Sequence, residues 1–341
     1  MSAKLMRYGA MFGPNITFLG IPECDYSDSK SYQDADVVII GAPFDGGTSY
    51  RSGARLGPSA IRATDYLPHD GSRPHLATRM DALKDIVVKD AGDVEIYSGD
   101  VTKSCDALEK VVEKIAKDKK IPIILGGDHT VTWPNATGVA KAIGWGKIAV
   151  LHFDAHADTG DIAFGSLVGH GQPMRRLIES GAVKGNKFFQ IGLRGYWPPE
   201  DILKWMAKQE MRSYEMSEIV ARGFDVVLDE VIKESIKEVD GIFLSVDIDV
   251  VDPGSAPGTG TPEPGGLTSR QLLDAVRKIS IELPVVGMDV VEVAPAYDHA
   301  EITALLANRV VLEALSGIAL RKKNLQSGQV FNYSQSLLKD R

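Results

Sequence analysis

The chain has 341 residues, 44% of them hydrophobic, and a formal net charge of −8. Such a length and apolar content can fill one large core, while the negative balance argues against nucleic acid and leaves no polybasic patch for a membrane surface. No uninterrupted apolar run nears the roughly 18 residues that span a bilayer and residues 1–14 carry no continuous hydrophobic signal segment; with only Cys24 and Cys105 there is no disulfide framework, so a cytoplasmic location is expected.

Residues 1–35, rich in Gly, Pro, Ser and Asp, read as an N-terminal arm over the domain or a neighbouring subunit. Regular structure is expected from residue 36. Short, β-branched apolar runs recur at 37–40, 86–88, 121–125, 148–153, 188–191, 242–246 and 285–291. Runs of that kind, apolar on both faces, belong to a parallel sheet between helices. Leu108, Val111, Val112 and Ile115 follow helical spacing, as do Ile302, Leu305 and Leu306. Thr268 and Gln271 form a candidate capping box, with Leu267 and Leu272 as its hydrophobic staple. The pattern predicts one three-layer α/β/α domain over 36–321 with a mainly parallel central sheet. Residues 322–341 read as a polar C-terminal extension.

Ligands of parallel sheets bind beyond the carboxyl ends of the strands, and the polar residues collect there. Gly126-Gly127-Asp128-His129-Thr130 follows 121–125, and Asp154-Ala155-His156-Ala157-Asp158 follows 148–153. Asp247-Ile248-Asp249 follows 242–246, and Glu292 follows 285–291. Taken singly, the first is a common tight turn, the second a polar strand end, the third a helix-cap region and the fourth uninformative. Together they supply imidazoles and carboxylates in a number that calls for cations. In an extended segment Asp154, His156 and Asp158 also point to one face, a donor set that suits Mn(II), Fe(II), Ni(II) or Zn(II).

These motifs, with Ser245-Val246-Asp247-Ile248-Asp249-Val250-Val251-Asp252-Pro253 and the run Ala-Pro-Gly-Thr-Gly-Thr-Pro-Glu-Pro-Gly-Gly at 256–266, resemble those of the ureohydrolases, the arginase and agmatinase family, in order and spacing from 41 to 317. Gly258 and Pro262-Glu263-Pro264 resemble agmatinases more than arginases. The resemblance implies the arginase/deacetylase-like fold and a binuclear centre, with Mn(II) as the usual metal and Ni(II) as the alternative. One metal would be held by His129, Asp154, Asp158 and Asp247, the other by Asp154, His156, Asp247 and Asp249. It also implies a homo-oligomer, trimeric or hexameric, and a small guanidino substrate cleaved to urea, with agmatine as the family default. Free guanidine and a short guanidino acid such as guanidinobutyrate are the alternatives.

The chemistry implied is attack on the guanidinium carbon by hydroxide shared between two cations about 3.5–4 Å apart. Asp158 and Glu292 would match the developing charge, Glu292 would hold the guanidinium, and His170, in Gly169-His170-Gly171-Gln172-Pro173, resembles the family's proton-shuttling histidine. His69, His75, His152 and His299 match no catalytic motif and are read as structural or surface residues.

Arginases carry two aspartates in the loop where this chain has Gly192-Leu193-Arg194-Gly195-Tyr196-Trp197-Pro198-Pro199-Glu200. Gly195 and Trp197 stand in their places, so arginine is expected to be a poor substrate and Trp197 is a candidate pocket wall; packing of the loop or of a subunit contact is the alternative reading. Two rivals remain on the residues alone. A single-zinc deacetylase-like amidohydrolase needs neither the Asp158 and Asp249 pair nor His129, and a non-catalytic binding protein needs no complete ligand set.

Overall fold

The computed structural model describes residues 16–64 and 74–324. Its strands are β1 (Val37–Gly41), β2 (Val88–Asp93), β3 (Ile121–Leu125), β4 (Ile148–Phe153), β5 (Phe188–Leu193), β6 (Arg212–Glu215), β7 (Gly241–Asp247) and β8 (Val285–Val291). Helices alternate with them: α1 (Gly57–Ala63), α2 (Ala82–Asp85), α3 (Val101–Lys117), α4 (Thr132–Ile143), α5 (Pro173–Ser180), α6 (Glu200–Lys208), α7 (Met216–Arg222), α8 (Phe224–Ser235), α9 (Ser269–Glu282) and α10 (Ile302–Lys322). All strands are parallel, in the order β2-β1-β3-β8-β7-β4-β5-β6.

Alternate side chains of each central strand enter different cores, which makes the sheet the middle of three layers. Val37 and Ile39 of β1 pack with α1, α8, α9 and α10 on one face. Val38 and Ile40 pack with α3, α4 and α5 on the other. Helix α9 starts where its sequence signals place it: Thr268 and Gln271 exchange both hydrogen bonds of a capping box, and Leu267 and Leu272 are fully buried in one cluster.

Two strands were hidden by their charges. Strand β2 occupies Val88–Asp93 rather than 86–88, because Asp90 and Asp93 are buried in ion pairs with Arg62 and behave as interior residues. Strand β6, Arg-Ser-Tyr-Glu, buries only Tyr214 and closes the sheet as a short, charged edge.

Residues 16–35 are packed against the domain. Phe18 and Tyr32 are fully buried, and the amide of Phe18 donates to Asp90. Pro22 and Cys24 exchange backbone hydrogen bonds with Asp90, covering the β2 edge. At the other end Lys322 closes α10, and the rest of the expected extension from 325 onward lies outside the described residues, as does His69. Helix α10 has the length and mean hydropathy of a membrane-crossing helix, but 78% of its most apolar window is buried. Arg309 and Glu313 interrupt it, as suits a core helix with one polar flank.

Candidate metal centre and active site

The site forms because the four strands that carry its motifs, β3, β8, β7 and β4, are neighbours in the sheet. The registers Phe153↔Val246 and Asp247↔Val291 set Asp154 beside Asp247 and Asp247 one step short of Glu292. Gly127 allows β3 to turn into the site: a Cβ there would lie 1.7 Å from the Phe44 carbonyl oxygen. That carbonyl accepts the Asp128 amide, and Asp128 in turn caps the short helical turn bearing His129. Asp128 is therefore a scaffold residue, and its carboxyl is pushed up to about 6 by burial and by the nearby charge of Glu292.

All six expected ligands meet in one place. His129 Nδ1 lies 3.0 Å from Oδ2 of Asp154, of Asp158 and of Asp247. His156 Nδ1 lies 3.0 Å from Asp249 Oδ2 and 3.5 Å from Asp154 Oδ1. Asp154 thus offers one oxygen to each group. Asp247 offers Oδ2 to the first, while its Oδ1 accepts the Asp249 amide at 2.9 Å.

The close approaches do not satisfy the atoms involved. His129 Nδ1 and Asp249 Oδ2 are buried without a hydrogen-bond partner, a state that costs about 1–3 kcal/mol per group unless something else occupies the space between them. Burial and the charges of Asp249 and Asp154 hold the Asp247 carboxyl well above the usual carboxylate range. Burial opposes a charged His156, but Asp249 and Asp154 outweigh it and push the ring up to about 12. Without cations the cluster collects protons instead. The donor set, carboxylates plus imidazole nitrogens, fits two divalent cations of borderline or hard character.

Glu292 and His170 adjoin this centre. Glu292 Oε1 accepts the His129 amide at 2.8 Å and lies 2.9 Å from His170 Nδ1, whereas Oε2 is buried with no partner. Both Asp158 (φ 50°) and Glu292 (φ 64°) sit in the left-handed region, a strain of about 1–3 kcal/mol each that functional sites often retain. Burial opposes a charged His170, but Glu292 outweighs it and lifts the ring to about 9.

A cavity of about 560 Å³ opens above, with His156, Asp158, His170, Asp247 and Glu292 at its floor and Trp197 in its wall. Trp197 is 37% exposed, and Tyr196 points fully into solvent. Gly195 has φ 83°, and a Cβ on it would come within 2.8 Å of the Glu263 carboxyl carbon. An aspartate at 195 would take up a strained backbone conformation and would require the Glu263 side chain to move.

Two contacts were not legible in the motifs. His152, read from sequence as structural, places Nε2 2.7 Å from Asp154 Oδ2. Gln190 fixes its tautomer: Nε2 of the amide donates to the Ala157 carbonyl and to His152 Nδ1, while its oxygen accepts from Ser213. His152 must therefore carry its proton on Nε2, toward Asp154, and acts as a positioning residue. Ser49 is the second. Its amide donates to His170 Nε2 at 3.0 Å, an arrangement that only the neutral ring allows and that opposes the charging favoured by Glu292, and its hydroxyl lies 2.6 Å from the same nitrogen. His75 and His299 stay away from the centre, His75 pairing with Glu313 and His299 being exposed.

Residues 35–317 match the model of the arginase family. The chain belongs to the arginase family. An agmatinase of Bacillus anthracis is 36% identical over 84% of the chain and 93% of its own length. A guanidinobutyrase of Pseudomonas aeruginosa is 36% identical over 89% and 92%. The solved structure of proclavaminate amidinohydrolase from Streptomyces clavuligerus superposes with a TM-score of 0.81 at 35% identity, covering 91% of this chain and 99% of that one. As an arginase-family member the protein is a ureohydrolase, a hydrolase of C–N bonds in guanidino compounds from a metal-dependent family.

Proposed function

We propose that this ureohydrolase releases urea from a small guanidino compound without an α-amino acid head, using two Mn(II) or Ni(II) ions. His129, Asp154, Asp158 and Asp247 would hold one ion, and Asp154, His156, Asp247 and Asp249 the other. Bound there, the pair supplies hydroxide from water near neutral pH. The observation that carries the reading is the unpartnered Oε2 of Glu292, buried at the cavity floor beside the ligand cluster.

Glu292 Oε2 accepts two N–H groups of the guanidinium and orients its carbon toward the ligand cluster. Its other oxygen is already fixed by the His129 amide, so orientation is set before substrate arrives. The Asp158 carboxylate matches the positive charge that the substrate nitrogens keep as the carbon becomes tetrahedral. His170 delivers a proton to the departing nitrogen, and the C–N bond breaks with its electron pair going to that nitrogen. Agmatine and free guanidine both meet this description. Arginine does not, because Gly195 and Trp197 offer its α-ammonium group no carboxylate.

Urea release from guanidine, agmatine, guanidinobutyrate and arginine, measured on Mn(II)-loaded and Ni(II)-loaded enzyme, tests the proposal. Arginine should have the lowest kcat/KM, and Trp197→Ala should shift preference toward longer substrates. Efficient arginine hydrolysis by the wild type, or a ranking unmoved by Trp197→Ala, would remove this loop from specificity.

A further inference from the structure

The cavity changes character with height. Its titratable groups gather at the floor, and above them stand Val101 at the start of α3, Trp197, and Ala163, Phe164 and Val168 from the loop that follows the Asp158 motif. The loop and the indole approach each other closely: a Cβ on Gly160 would lie 3.6 Å from Trp197 Cζ2. Between floor and mouth, a substituent on the guanidinium therefore passes an apolar collar. The polar groups beside it, Thr48, Ser49, Ser166, Gln172 and Thr261, carry no net charge.

Two acids near the collar, Asp100 and Asp161, are committed elsewhere. Asp100, next to Val101, caps α3 by accepting the Lys103 amide. Asp161 is held by Arg175 and Arg176. An ammonium or carboxylate on a substrate tail would enter the collar without a counter-ion from these groups and would lose water there, whereas a methyl or alkyl group gains from the same walls.

We propose that the substrate class is guanidine itself or guanidines bearing an uncharged alkyl group, selected by the collar of Val101, Phe164, Val168 and Trp197 over guanidines with a charged tail. This rests on the ureohydrolase reading above and narrows it. Trp197 forms one wall, and Phe164, 91% exposed in this structure, stands at the rim where it can cover an apolar tail. A cationic tail gains some attraction from the indole face, so the collar penalises carboxylates most.

The test compares compounds of similar length that differ in charge at the tip: pentylguanidine, agmatine and 4-guanidinobutyrate, with guanidine and methylguanidine as short references. Urea or amine release is followed on the metal-loaded, full-length enzyme. Pentylguanidine should exceed agmatine in kcat/KM, and should exceed guanidinobutyrate by at least about tenfold. Phe164→Arg should narrow the gap to guanidinobutyrate while leaving the metal content unchanged. If agmatine or guanidinobutyrate equals or surpasses pentylguanidine, the collar does not select for uncharged tails, although the ureohydrolase reading survives. If none of the compounds is hydrolysed, both fall together.

Discussion

Asp154 shows how much one residue in this centre has to do. Its two oxygens face different ligand groups, its Oδ1 accepts the His156 amide at 2.6 Å, and its Oδ2 is held by His152 at 2.7 Å. His152 and His170 are thus both hydrogen-bonded to a site carboxylate, but to different ones, and their roles separate experimentally. His152→Phe keeps a ring of similar size and removes the donor, so metal affinity should fall about ten- to a hundredfold in chelator competition. His170→Ala should leave that affinity unchanged and lower kcat by about a hundredfold or more. Equal losses of metal affinity in the two variants would contradict the assignment. The sequence showed His170 through its Gly-His-Gly-Gln-Pro setting. It hid His152, which lies inside the apolar run of β4 and reads there as an ordinary core position. Ser49 was hidden too, because a serine in a Gly-rich loop gives no sign of the imidazole that folds against it.

At the scale of elements, legibility followed charge. Central strands such as β3, β4 and β8 are apolar except for His152 in β4 and Asp289 in β8, and their limits were readable to the residue. The outer strands β2 and β6 were misplaced or missed, since their polar side chains are paired across the fold with partners that only the tertiary structure brings near. Helix α9 was marked by local chemistry alone, which makes its cap a clean test of a purely structural feature. Thr268→Ala should cost about 1 kcal/mol, read as a lower midpoint in chemical denaturation of the metal-loaded enzyme. Urea release should be unaffected, because the cap lies on an exposed helix end away from the cavity. An unchanged midpoint would mean that the capping box contributes nothing here.

For the whole molecule, the sheet order matters more than any single motif. The motif-bearing strands are separated in sequence by helices and loops, yet β3, β8, β7 and β4 lie side by side, so their carboxyl ends deliver the six candidate ligands and Glu292 to one floor. Sequence could show that the motifs end strands, and the resemblance implied that their residues share one centre; the adjacency of the strands is visible only in the fold. The same convergence explains part of the net charge of −8. Asp154, Asp158, Asp247 and Asp249 are kept within a buried cluster that two divalent cations would neutralise, and removing either carboxylate shared by both groups should disable the pair. Metal analysis of the loaded enzyme tests this most directly. The account predicts about two metal ions per chain in the wild type, with fewer ions and no urea release in Asp247→Ala; one zinc ion per chain with full activity would contradict it.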